Sequence, residues 1–221
     1  MADARFLTSD ILQMELPYRA NFVTSLSGFK SLCLVGTVDS HGTTNLSLYT
    51  QVFHVGANPP LIGMLVRPDN VVRDTLNNII KTGFFTLNHV KPDFYQAAHH
   101  CSAHHSHSEF ELCQFTPQFS MAHPSPYVQE ASIKLGLKLV QRTYIKLNGT
   151  ILVIGEVVET ILPEDCLQPD GYIDLEKAES ITASGLDSYH STQRLSRLPN
   201  PTPDSAYSPA PQSLSSINAI S

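Results

Sequence analysis

At 221 residues, with 42% hydrophobic and 15% charged positions, the chain has the length and apolar content for one sizeable domain with an enclosed core. A formal net charge of −6, without any cluster of lysines and arginines, excludes a nucleic-acid surface, which would have to neutralise many phosphates. The first residues carry Asp3, Arg5, Asp10 and Glu15 where a signal peptide would be apolar, and no later run is long enough to span a bilayer, so a soluble cytoplasmic protein is expected.

Residues 9 to 30 read as a lead-in: a helical turn near Ile11 to Leu16, a stop at Pro17, and a polar, serine-rich approach to the first strand. Leu32 to Val38 is a short apolar run, and Asp39-Ser40-His41-Gly42 turns the chain after it. A second strand is expected from Thr44 to Val55. Because strand side chains alternate, it would send Leu46 and Leu48 to an apolar face and Asn45, Ser47 and Tyr49 to a polar one. Asn58-Pro59-Pro60 withholds backbone donors and fixes φ, so the chain turns before Leu61 to Val66 resumes as a buried strand.

After Arg67-Pro68, either Asp69 or Asn70 suits an N-cap, and Val72, Leu76, Ile79 and Ile80 follow at helical spacing up to Gly83. Free backbone N–H groups at such a helix start, with Arg67, Asn70, Arg73 and Thr75 around them, have the chemistry of a phosphate site. The same arginines equally suit a solvated surface paired with nearby carboxylates.

Phe84 to Asn88 reads as a further strand, rich in aromatic and β-branched residues, ending at His89. Lys91-Pro92-Asp93 starts a helix through Phe94, Ala97 and Ala98 that runs into HHCSAHHSHSEFE, which holds five of the ten histidines. There His100 and His104, four positions apart, with Glu109 as a carboxylate, make a candidate metal site; clustered histidines without a fixed ligand pattern are also ordinary polar surface. Cys33, Cys101, Cys113 and Cys166 are widely scattered, which signals neither a disulfide framework nor a thiolate metal site. Cys101, with histidines beside it, is either an activated nucleophile or a small buried apolar residue.

Gln114 to Pro126, with three prolines, reads as a surface loop forming a lid or a dimer contact. Ile133, Leu135, Leu137 and Leu139 then alternate with Ser132, Lys134 and Lys138, the pattern of a half-solvated antiparallel strand. Asn148-Gly149 predicts a type I′ hairpin, and Gly155 a bulge or barrel corner in the next strand. The fold class is mainly β with peripheral helices, the strands closing or nearly closing an antiparallel barrel. Leu175 to Ala178 suits one helical turn, and SGLDSYH a polar loop. The domain is expected over residues 1–197, with a Pro- and Ser-rich disordered tail over 198–221.

Several of these segments, in this order, resemble the flavin reductase-like family over residues 20 to 195: VGTVDSHGTTNLSLYTQVFHVGANPPLIGMLVRPDN, TLNNIIKTGFFTLNH, the SEF triplet at Ser108 to Phe110, NGTILVIGEVV and SGLDSYH. The resemblance implies an FMN-binding split β-barrel, a homodimer, and FMN lying along the second strand. By the same resemblance the flavin contacts would be Ser47, Leu48, Tyr49 and Thr50 at the ring, and Arg67, Asn70, Arg73 and Thr75 at the phosphate. Asn88 and His89 at the strand end, His99 and Ser102 in a covering helix and loop, and Ser184, Gly185, Asp187 and Tyr189 near the C-terminal end would complete the site. The implied activity is that of an oxidoreductase passing electrons from NAD(P)H through FMN to free flavin, an acceptor protein or a small substrate. No carboxylate pair, triad or G-x-G-x-x-G run is present, so no catalytic side chain is assigned. The alternative is a non-catalytic flavin or metal carrier or sensor using the histidine-rich segment 99–107.

Overall fold

In the computed structural model, which describes residues 2–67, 74–103, 108–200 and 202, helices α1 (Thr8–Gln13) and α2 (Leu16–Leu26) lead into β1 (Lys30–Ser31) and β2 (Cys33–Val38). Then follow β3 (Thr44–Tyr49), β4 (Val52–Ala57), β5 (Pro60–Val66), α3 (Asp74–Thr82), β6 (Phe84–His89), α4 (Tyr95–His100) and α5 (Glu109–Leu112). The chain finishes with β7 (Pro117–Gln118), β8 (Tyr127–Val128), β9 (Lys134–Ile145), β10 (Thr150–Ile161), a short 3-10 turn, β11 (Thr182–Ser184) and β12 (Ser188–His190). Seven strands form one antiparallel sheet in the order β3-β2-β6-β9-β10-β5-β4, curled into a split barrel.

The single strand expected from Thr44 to Val55 is two strands. β3 pairs with β2 and β4 with β5, so they are the opposite edges of the sheet, and Thr50-Gln51 crosses between them. The crossing is favoured because Tyr49 and Val52 pack against one and the same core cluster, built on Cys33, Val35, Met64, Val66, Phe85, Leu87, Leu137, Ile151 and Val153. Helix α3 adds Leu76 and Ile79 to that cluster and stops where Gly83, at φ +78°, donates to Ile79 O at 2.9 Å. Leu34 and Leu46 belong to a second cluster with Ala98, Cys101, Phe110 and Phe115, so β2 is buried on both faces and its sequence is continuously apolar. The face of β3 expected to be polar is therefore half core.

Other local expectations change for identifiable reasons. Pro17 does not stop a helix; it sits in the first turn of α2, where a missing N–H costs nothing. The β9–β10 hairpin has a four-residue loop, residues 146–149, between Ile145 and Thr150, in place of a two-residue type I′ turn. Only Gly149, at φ +74°, takes the left-handed conformation. At Gly155 the β9–β10 register does shift, and a Cβ there would lie 2.7 Å from the Phe85 ring.

The stretch Gln114 to Pro126 is more than a surface loop. β7 pairs with β8, and His123, Ser125 and Tyr127 are buried against β9, where a Cβ on Gly136 would collide with the Tyr127 hydroxyl and the His123 ring. Burial of Tyr127 and His123 is offset by bonds from Tyr127 Oη to Glu159 Oε2 (2.6 Å) and between His123 Nε2 and Leu137 O (3.1 Å), whereas the Ser125 hydroxyl has no partner among the described residues. Lys134, expected on the solvated face, is buried too, donating to Gln118 Oε1 at 2.7 Å. SGLDSYH is a hairpin, β11–β12, which pairs with β1. Of the expected tail, only residues 198–200 and 202 are described.

Candidate functional site

Where the chain crosses from β3 to β4, a cleft opens. Ser47, Leu48, Tyr49, Thr50 and Gln51 line one side, with Leu65 and Arg67 at the end of β5, Thr24 of α2, Lys30 of β1, Ser102 after α4, and Gly185 and Leu186 at the β11–β12 turn. The cleft thus draws on both ends of the domain. Its two cations face no carboxylate, since neither Asp nor Glu is among the lining residues.

Lys30 is the best-fixed of these groups. Its Nζ donates to Gly185 O (2.8 Å) and Thr24 O (3.1 Å), and its proton affinity is lowered, first by burial and then by the Arg67 charge. Arg67 is exposed and makes no ion pair among the described residues. Two cations held near one another without an anion are poised to bind one.

The outer edge of β3 is covered. Glu109 Oε2 accepts from Leu46 N–H at 3.1 Å, Cys101 O from Leu48 N–H at 3.4 Å, and the hydroxyls of Thr44 and Ser108 lie 2.9 Å apart. Ser108, Glu109 and Phe110 therefore seal a strand edge, and Leu48 N–H is already engaged. Beyond the end of β3 the ladder stops: Gln51 O accepts from Leu65 N–H at 3.0 Å, while the N–H groups of Thr50 and Gln51 have no acceptor among the described residues. The cleft so offers hydroxyls, peptide donors and two positive charges to a ligand with a polar body and an anionic end.

Of the residues singled out in the sequence, Ser47, Leu48, Tyr49, Thr50, Arg67, Ser102 and Gly185 meet in this cleft. Asn70 and Arg73 lie outside the described residues, as do Asp69, Val72 and His104. Thr75 is buried, with Oγ1 accepting from Asn45 Nδ2 at 2.9 Å. Asn88 is buried as well: its Nδ2 donates to Leu34 O and Thr86 Oγ1, both at 3.0 Å, and its Oδ1 accepts from Val128 N–H at 2.9 Å. All of its hydrogen-bonding capacity seen here goes to holding strands together. His89 Nδ1 meets Ser180 Oγ at 2.9 Å, and burial pulls its pKa down to about 4. None of these three lines the cleft.

Ser184 Oγ pairs with His190 Nε2 at 2.8 Å, and Tyr189 Oη with His99 Nδ1 at 2.5 Å. Tyr189 and His99 line a second depression, with Tyr95, Gln96, His100 and Asp187. Among the described residues no three His, Cys, Asp or Glu side chains are grouped to hold a metal. Cys101 is buried, and its thiol is pushed up first by burial and next by the Cys113 thiol, the opposite of an activated nucleophile.

Thr24, Lys30, Gln51, Leu65 and Leu186 were not singled out from the sequence. The cue for Lys30 was present, a lone cation between a polar approach and an apolar strand, but its partner Gly185 is 155 residues away.

The description of the flavin reductase like domain matches residues 26–177. A split-barrel protein from Shewanella frigidimarina NCIMB 400, assigned as a flavin reductase, is 42% identical and superimposes with a TM-score of 0.87 over 90% of this chain and 100% of that one. Nitrilotriacetate monooxygenase component B from Bacillus cereus is 24% identical, with a TM-score of 0.78 over 89% of this chain and 100% of its own. An FMN-binding protein from Thermus thermophilus, solved with bound 1-cyclohex-2-enone, is 18% identical, with a TM-score of 0.66 over 90% of this chain and 100% of its own.

Proposed function

Since the chain belongs to the flavin reductase like domain family, we propose that the cleft at the split of its barrel holds FMN and that the protein is an FMN-dependent oxidoreductase drawing electrons from NADH or NADPH. The observation that carries this reading is the pair Lys30 and Arg67 in a cleft without carboxylates, beside unladdered peptide N–H groups. That donor set fits a planar, polar ring with a phosphate at one end.

Arg67 binds the phosphate through a charge-assisted pair; Asn70 and Arg73, outside the described residues, are assigned to the same group from the family resemblance. Ser47, Tyr49, Thr50 and Gln51 orient the ring along its polar edge, with the Thr50 and Gln51 N–H groups as donors. Lys30 supplies positive charge, and Ser102 and Leu186 are part of the lining that restricts water. When bound, FMN supplies the hydride and electron chemistry, which is why no protein acid or base is needed. The acceptor is a free flavin, a protein or a small organic molecule.

Helices α1 and α2 bury none of their side chains and expose Leu12, Leu16, Tyr18, Val23 and Leu26, and Phe6 and Leu7 just ahead of α1 are exposed too, which favours a second copy of the chain covering that face. Four free thiols suit the reducing cytoplasm. The test is a titration of purified protein with FMN, followed through the flavin absorption bands, and then anaerobic addition of NADH or NADPH. Uptake of FMN and bleaching by a nicotinamide is the expected result; no uptake overturns the reading.

A further inference from the structure

The second depression is lined by residues close in sequence to those of the cleft on two elements. Gly185 and Leu186 line the cleft while Asp187 and Tyr189, on the same hairpin, line the depression; Ser102 lines the one and His99 and His100 the other. The cleft and the depression thus border the same hairpin and the same end of α4.

Its chemistry is specific in type. The rings of Tyr95 and Tyr189 stand 5.3 Å apart and tilted by 50°, and His99 meets Tyr189 edge-on at 5.8 Å, so the floor is aromatic. A hydrogen bond between Tyr189 Oη and His99 Nδ1 at 2.5 Å ties the two rings together. Gln96, whose Nε2 lies 3.4 Å from Tyr95 Oη, adds an amide with donor and acceptor side by side, and Asp187 adds a carboxylate. No Lys or Arg is among the lining residues.

We propose that this depression is the adenosine subsite for the dinucleotide reductant, stacking the purine on Tyr95 and Tyr189, and that it selects NADH over NADPH. The amide of Gln96 matches the donor and acceptor edge of adenine, and the Asp187 carboxylate accepts from ribose hydroxyls. The same carboxylate, with no Lys or Arg among the lining residues to offset it, repels a 2′-phosphate. The assignment rests on the flavin-dependent reading for what occupies the other end of the ligand, and its test is independent of that end.

The experiment is calorimetric titration of the full chain, free of flavin, with adenosine 5′-monophosphate and with adenosine 2′,5′-bisphosphate. Binding of the monophosphate is expected, at least five-fold tighter than the bisphosphate. Tyr95→Leu, which keeps apolar packing but removes the ring, should weaken the monophosphate at least five-fold. Asp187→Asn, at an exposed position, should narrow the gap between the two nucleotides. Equal affinity for both nucleotides, or no response to Tyr95→Leu, overturns the subsite. FMN titration of the same preparation separates the two readings: FMN uptake without nucleotide binding sinks only the subsite, and nucleotide binding without FMN uptake sinks only the flavin reading.

Discussion

The ammonium of Lys30 donates to the carbonyl of Gly185 at 2.8 Å, joining the start of the first paired strand to the tip of the last hairpin. A second bond, to Thr24 O, brings in helix α2, and Ser25 Oγ lies 3.1 Å from where a Cβ on Gly185 would be. One side chain thus stitches the roof of the cleft and charges it.

Replacing Lys30 by Met should weaken FMN roughly tenfold by removing a positive charge and loosening the roof. Lys30→Arg should restore part of that loss. Equilibrium titration monitored by quenching of flavin fluorescence measures both, and equal affinity of wild type and Lys30→Met would rule out the role given to this residue.

Lys30 also predicts a pH dependence. Burial and the Arg67 charge lower its proton affinity below the ordinary 10.5, so in the flavin-free protein it loses its proton earlier on the alkaline side. An anion bound in the cleft favours the charged form, so FMN affinity should fall as pH rises through that lowered value, and proton uptake should accompany binding there. The Lys30→Arg variant should show no such fall below pH 10. Buffer-dependent calorimetry reads the proton count.

Arg67→Ala should cost on the order of 2 kcal/mol of FMN binding, the value of one charge-assisted bond, without lowering thermal stability. The second half follows because Arg67 makes no ion pair among the described residues. Retention of flavin on gel filtration and a melting curve of the flavin-free protein separate the two effects.

His89 should make the fold sensitive to mild acid. Burial holds its pKa at about 4, against 6.5 in an unfolded chain, so between those values the unfolded state binds more protons. Its contribution is fully present above pH 6.5 and is lost as pH falls towards 4, by on the order of 3 kcal/mol. His89→Gln, which can still pair with Ser180, should flatten urea midpoints across that window. A wild-type midpoint that does not change over it would show that the ring is not buried as described.

Gly36→Ala should destabilise the domain by about 1–3 kcal/mol through overpacking. A Cβ on Gly36 would collide with the carbonyl of Pro126 and with Thr86 Oγ1, which are themselves bonded at 2.7 Å. Backbone cannot yield as a flexible side chain does, so the segment that packs over β6 would have to move. Urea denaturation by tyrosine fluorescence gives the change, the chain having no tryptophan.

How much of this was readable in the sequence depended on range. Strands β2, β5 and β6 and the Gly83 stop of helix α3 follow from periodicity and from glycine geometry within a few residues, and the strand bounds shift by only one position, while the expected N-cap of α3 at Asp69 or Asn70 lies outside the described residues. The break of the Thr44 to Val55 run at Thr50-Gln51 was not readable. It has no glycine or proline, and it follows from Tyr49 and Val52 meeting one core cluster. The cleft divides the same way. Ser47 to Thr50 and Arg67 lie on one continuous stretch and were singled out together, whereas Lys30 needed its partner at Gly185, and Thr24 needed a helix that Pro17 seemed to forbid. Asn88 and Thr75, polar residues at element ends, resemble ligand contacts in one dimension; in three they satisfy buried backbone and side-chain groups.

Because the cleft is lined from Thr24 through Leu186, a ribosome must release almost the whole domain before it exists. The barrel strands, complete at Ile161, precede that moment in synthesis. Cofactor loading is in that sense a finishing step, and a chain cut short after β10 would keep the barrel's strands while lacking the piece that closes over the ligand.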